Sequence, residues 1–149
     1  MLRGLLWAIS LVLAPFAAAQ NAAGYLIEGD AIDKPLVAGA GDAGRGRQLV
    51  ATRDPANCIL CHGAPAGLRD AGVRFSGDLA PPLDGAGARW TAGQLRLRLV
   101  DSARLNPQTI MPAYFRTEGL AEVAAAYRGK PILSAREIED LIAYLSTLK

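Results

Sequence analysis

The sequence predicts an all-α protein, and three observations carry that prediction. Two segments open on capping boxes, Thr91 with Gln94 and Ser134 with Glu137, in which side chains and backbone N–H groups of a first helical turn satisfy each other. Behind the second, Ile138, Leu141, Ile142 and Leu145 recur at i, i+3, i+4 and i+7, the apolar stripe of a helix. No stretch alternates apolar and polar residues as a half-buried strand would, and no internal repeat is present. At 149 residues the chain has the length of a single domain.

Taken in order, residues 1–19 read as a signal peptide. Arg3 supplies the positive start, Leu5 to Phe16 the apolar run and Ala17-Ala18-Ala19 the small-residue cleavage site. A retained membrane anchor is the alternative, but the run is short for a bilayer. Residues 20–41, rich in Ala and Gly with no helical period, form an extended lead-in. With so little apolar patterning they are expected to dock on a partner. Residues 42–149 form the folded domain. Asp42 is a good N-cap for a helix running to about Thr52, and Gly44 and Gly46 weaken it by about 1 kcal/mol each. Glycine kept at that cost often permits close approach of another helix, and the last helix is the expected neighbour.

Residues 63–89, dense in Gly, Pro and Asp, are expected to be a loop. The helix opened by Thr91 presents Leu95, Leu99 and Ser102 inward and ends near Arg104, before Asn106-Pro107. Leu120 to Tyr127 has room for one or two helical turns. In the last helix Glu137, Glu139 and Asp140 sit in the first turns, where the helix dipole favours negative charge.

Arg3 is the one charged residue of positions 1–19, so the remainder holds 15 basic and 14 acidic residues, a net charge of +1. A balance so near neutral excludes general nucleic-acid or anionic-membrane binding, and leaves docking to local patches.

Asn57-Cys-Ile-Leu-Cys-His-Gly63 holds both cysteines and the only histidine of the chain. Cys58, Cys61 and His62 make the Cys-x-x-Cys-His signature of covalent haem attachment. Two thiols two residues apart can each form a thioether with one porphyrin, and the histidine beside them is then held under the iron as an axial ligand. A thioredoxin-like pair would sit in a βαβ setting, which is missing here. A zinc site lacks a fourth Cys or His. A plain disulfide would close a very small loop and constrain little. Attachment outside the cytoplasmic membrane agrees with the export signal.

A second axial ligand has few candidates. Beyond residue 19 the only methionine is Met111, in Thr-Ile-Met-Pro-Ala-Tyr, 49 residues after His62. Its thioether favours ferrous iron and raises the potential. Met111 as an ordinary core residue is the alternative, as are a lysine, a tyrosine or an open position at the iron. Tyr114 and Phe115 would line the Met111 side of the pocket.

Ala80-Pro81-Pro82-Leu83 resembles the Pro-x-Leu element of class I cytochromes c. The resemblance implies that the Pro81 carbonyl accepts a hydrogen bond from His62 and raises its basicity, and that Leu83 packs on the haem face. A rigid two-proline turn is compatible with that role. Arg89-Trp90 resembles the pair that reaches haem propionates in related cytochromes. A helix-start staple for Trp90 and a solvated Arg89 are the alternative.

With these residues placed, the chain is similar over most of its length to the SoxX family, the monohaem cytochrome c subunits of the SoxAX complex. The likeness runs through Gly41-Asp42-Ala43-Gly44-Arg45-Gly46-Arg47, the haem motif, Gly77-Asp78-Leu79-Ala80-Pro81-Pro82-Leu83-Asp84-Gly85 and Arg89-Trp90. It continues in Met111-Pro112-Ala113-Tyr114-Phe115, Glu118-Gly119-Leu120, Gly129-Lys130-Pro131-Ile132-Leu133 and Glu137-Ile138-Glu139-Asp140. The haem motif is generic. Met-Pro-Ala-Tyr followed by Gly-Lys-Pro-Ile-Leu is much more specific.

The resemblance implies a class I cytochrome c fold, helices wrapped around one covalent haem c, in the periplasm. It implies a heterodimer with a SoxA-type c cytochrome that oxidatively joins thiosulfate to a cysteine of a carrier protein. This chain would take up the electrons and pass them to a soluble acceptor, without catalytic residues of its own and without stable membrane insertion. A free-standing electron shuttle is the rival reading, and a peroxidase-like or gas-binding haem protein with a labile Met111 a third. Only Lys34 and Lys130 precede the terminal Lys149, which disfavours the one-signed docking ring of a shuttle.

Overall fold

A computed structural model describes residues 24–149, so the expected signal peptide at 1–19 lies outside the described residues. The all-α class holds. Among the described residues there are six α-helices and no strand, only isolated bridges between Glu28 and Ala31 and between His62 and Ala80. No described helix is long and apolar enough to cross a membrane.

Three helices carry the frame: α1 (Ala43–Ala51), α5 (Ala92–Asp101) and α6 (Ala135–Leu145). Asp42 caps α1 by accepting from the Arg45 amide, and both expected capping boxes form at the starts of α5 and α6. Short helices α2 (Cys58–Cys61), α3 (Ala66–Asp70) and α4 (Ala86–Arg89) lie between α1 and α5. The last two correct the expectation of an irregular 63–89 loop. One turn of helix is too short to display a period in sequence. α5 stops at Asp101 and tightens into a 3₁₀ turn over Ser102–Arg104, and of Leu120 to Tyr127 only Ala125–Tyr127 is helical, again 3₁₀.

α1 crosses α6 where Gly46 meets the Asp140 carbonyl. A Cβ on Gly46 would run into that carbonyl and stand 2.9 Å from Tyr144 Cβ. Backbone cannot yield as a flexible side chain can. Gly46→Ala is therefore expected to lower stability by about 2–3 kcal/mol, although alanine is the better helix former. A thermal melt of the holoprotein checks this; an unchanged midpoint would refute the close-crossing argument.

α5 is buried on nearly every side, with Leu97 and Val100 fully enclosed and Leu95 and Leu99 nearly so. Its two buried charges, Arg96 and Asp101, disguise that burial in the sequence. Glu139 and Asp140 correct the dipole reading in the same way. Both are buried, each against an arginine: Glu139 with Arg96, and Asp140 with Arg45 at 2.7 Å. The Arg45 hydrogen bonds, and then that of the Asp42 amide, hold the Asp140 carboxyl below its ordinary value of 3.8. A depressed carboxyl adds stability that is present above the unfolded pKa and is lost as pH falls through the folded one.

The lead-in also departs from expectation. From Tyr25 to Leu36 it packs on its own chain as a strap. Tyr25 and Ile32 are buried, and the Ile32 amide donates to the Gly93 carbonyl at 3.0 Å. Burying two such side chains contributes about 1.5–3 kcal/mol each, enough to hold a segment with no secondary structure of its own.

Candidate functional site

The Cys58–His62 run is a single helical turn whose start, Asn57, adopts the left-handed conformation. Behind it runs the 77–83 loop. The Gly77 amide donates to the Ile59 carbonyl, Ala80 to Cys61 and Leu83 to Gly63. Gly77 is required there, because a Cβ would overlap the Leu60 carbonyl. This loop brings the Pro81 carbonyl to 2.7 Å from His62 Nδ1. Donation from Nδ1–H to that oxygen leaves Nε2 free as the ligating nitrogen.

Cys58 and His62 face an open-mouthed cavity of about 320 Å³ between this turn, α5 and α6. Val50, Leu83, Leu95, Leu99, Leu141 and Leu145 supply apolar wall, and Pro81, Arg89, Trp90, Met111 and Tyr114 complete it with others. A second hollow of about 380 Å³ shares Cys58, His62, Pro81, Met111 and Tyr114 and adds Cys61, Leu79 and Ile110. The structure thus gathers Cys58, His62, Pro81, Leu83, Arg89, Trp90, Met111 and Tyr114 around the first space and places Cys61 at the adjoining one. Phe115 is the exception among its neighbours. It does not line the cavity but packs on Tyr25 of the strap, ring centroids 6.2 Å apart.

Protein interiors close on themselves with few voids larger than a water molecule. An apolar hollow of this size in the centre of a small fold is built for an occupant. The donor set agrees with a covalent haem: two thiols and an imidazole on one wall, a thioether on the wall and no carboxylate lining either hollow. The rivals fit less well. Among the described residues no group of three or more His, Cys, Asp or Glu could hold a metal ion. Desolvation pushes the Cys58 thiol up to about 11, whereas a redox dithiol needs a depressed pKa.

The Met111 backbone is fixed at both ends: its amide donates to Thr109 Oγ1 at 3.1 Å and its carbonyl accepts from Ser102 Oγ at 2.8 Å. Tyr114 is buried, its phenol pKa raised chiefly by that burial, and its hydroxyl donates to the Ala56 carbonyl just before the Cys-x-x-Cys-His turn. The Met-bearing loop and the haem motif are therefore tied directly.

Arg89 stacks on Trp90 at 4.8 Å, yet its Nη1 and Nη2 are taken by the carbonyls of Asp84 and Pro82. It holds the Pro-Leu loop closed. Arg98, which sequence reasoning missed, covers Trp90 at 4.5 Å and lines the cavity with Nη1 on the Gln94 carbonyl. Burial lowers its pKa against the opposing charge of Asp30, which stands too far away to form an ion pair with it. It is thus the cation better placed to meet anionic substituents of a bound porphyrin. The signal was present: Leu95, Arg98, Leu99 and Ser102 share one helical face.

Leu79 and Ile110, 71% and 75% exposed, stand at the mouth of the second hollow.

The family model for cytochrome c matches residues 43–149. Among solved structures the chain is similar to the crystal structure of SoxXA from P. pantotrophus, at 34% identity over 88% of this chain and 99% of that one, with a TM-score of 0.77. Comparison with curated proteins finds no match.

Proposed function

The chain belongs to the cytochrome c family, and as a SoxX-type member of it we propose that it is the electron-transfer subunit of a periplasmic complex oxidising thiosulfate. Electron transfer is the role of the family and haem c its covalent cofactor. When bound, that haem supplies one iron that takes up and releases a single electron.

The residues of this chain do the rest. Cys58 and Cys61 would anchor the macrocycle through thioethers, and His62, its ring oriented by Pro81, would ligate the iron. Met111 would supply the soft second ligand that favours the ferrous state. Leu83 and Tyr114 would exclude water and Trp90 and Arg98 would meet the anionic groups of the haem, while Arg89 keeps the 82–84 turn shut.

One observation carries the reading. The cavity offers two axial candidates and no carboxylate or spare thiol to act as nucleophile or base. Joining a thiol to thiosulfate forms a sulfur–sulfur bond and releases a proton and two electrons. A site so furnished can relay those electrons one at a time, but the bond must form on a partner, a SoxA-type cytochrome. Export with loss of residues 1–19 belongs to this proposal.

A free-standing shuttle would surround its mouth with charge for transient docking. Here Leu79 and Ile110 occupy that place, which suits a lasting apolar interface. Co-expression with a SoxA-type cytochrome should yield a stable heterodimer. The Leu79→Ser/Ile110→Ser variant should weaken it at least about tenfold, roughly 1.4 kcal/mol. Purification of wild-type protein as a strict monomer beside that partner would sink the proposal in favour of the shuttle.

A further inference from the structure

The loop that carries Met111 is fastened to the C-terminal end of α5. We propose that this fastening, Ser102 on the Met111 carbonyl backed by the Asp101–Arg116 pair, keeps the thioether in the haem cavity against exchange for outside ligands. Ser102 and Arg116 are then positioning residues for the sulfur ligand. The inference rests on the reading that Met111 ligates the iron.

The last four carbonyls of any α-helix lack partners within it. In α5 two of these are claimed by the Met loop: the Leu99 carbonyl accepts from the Tyr114 amide at 3.0 Å and Val100 from Arg116 at 3.2 Å. Just beyond them α5 tightens to 3₁₀, and Ser102, 7% exposed, donates its hydroxyl to the Met111 carbonyl at 2.8 Å. The helix end and the loop thus complete each other.

The second tie is ionic. Arg116 Nε stands 2.9 Å from Asp101 Oδ2, both side chains largely buried. It is incompletely satisfied, since Asp101 Oδ1 and Arg116 Nε make no aligned hydrogen bond. Buried pairs of poor geometry return little of their desolvation cost, so Ser102 carries the larger share. Between Leu105 and Ala124 the chain has no regular secondary structure. Such a segment opens locally at low cost unless tied. Releasing the Met111 carbonyl would therefore let the thioether leave without unfolding α5 or α6.

The test uses the ferrous holoprotein with carbon monoxide as probe, together with the weak far-red absorption of sulfur-to-iron ligation in the ferric state. Ser102→Ala should raise carbon monoxide affinity about tenfold and weaken the absorption, Ser102→Thr should restore both, and Arg116→Gln should give a smaller rise. Met111→Ala should bind tightly and lose the absorption altogether. If Met111→Ala keeps it, the ligand reading falls and this inference with it. If Met111→Ala loses it while Ser102→Ala behaves as wild type, the fastening alone is refuted. Should Ser102→Ala fail to fold, an unchanged affinity in Arg116→Gln refutes it.

Discussion

Replacing Cys58 and Cys61 together with serine is expected to give a chain without covalent haem and without a cooperative fold. The reason lies in where the cavity sits. Its walls are Val50 of α1, Leu95 and Leu99 of α5, and Leu141 and Leu145 of α6, the three helices that make the frame. All five are buried core residues, yet each also faces the hollow. Without an occupant they lose the packing partner on that side, and empty apolar volume costs about 24 cal/mol per Å³. A domain of this size has only about 5–15 kcal/mol of net stability, and about 320 Å³ left empty costs roughly 8 kcal/mol at that rate, a large share of it. Far-ultraviolet circular dichroism through a urea titration checks the result. A sigmoidal transition at the wild-type midpoint would show that the haem is no part of the core.

The same cavity explains what the sequence could disclose. The attachment motif is legible because its chemistry is local: three residue types in fixed order within five positions. Met111 stands out as the candidate second ligand, since no other methionine follows residue 19 and no other histidine exists, and it lines both hollows. Caps are local as well, so the starts of α1, α5 and α6 lie where Asp42, Thr91 and Ser134 announce them. Helices α2, α3 and α4 are one turn each and have no period to read. Arg98 was hidden by a more obvious neighbour: Arg89-Trp90 matched a pattern, whereas the free guanidinium edge belongs to the residue on the cavity face of α5. The strap escaped for a different reason. Tyr25 and Ile32 bury, and Leu36 partly buries, without periodicity, because an extended chain is held by whatever lies beneath it. Here that is a pair of charges that look solvated in sequence.

That pair supplies the second large effect. Glu139→Leu is expected to destabilise the holoprotein by about 3–5 kcal/mol, far more than loss of a surface ion pair, which is worth about 1 kcal/mol or less. Arg96 and Glu139 are 4% and 6% exposed and meet in two parallel contacts, Nε to Oε1 at 2.8 Å and Nη2 to Oε2 at 2.9 Å. Neither charge is there for the other alone. Arg96 Nη1 donates to the carbonyls of Ile32 and Asp33, and Glu139 Oε1 accepts from the Leu36 amide at 2.9 Å. The pair thus satisfies the polar backbone of the strap, which has no sheet or helix to do so. Removing Glu139 leaves a guanidinium desolvated beneath the strap and one strap amide unpartnered. Replacing both with apolar residues removes the stranded charge, so Arg96→Met/Glu139→Leu should recover part of the loss. It should not recover all of it, because three backbone groups of the strap still lack partners. Urea titrations of the two single variants and the double close the cycle. Hydrogen exchange should show the strap opening in each while α5 and α6 stay protected. If the double variant is no more stable than Glu139→Leu, the penalty is not a stranded charge but the loss of the strap contacts alone.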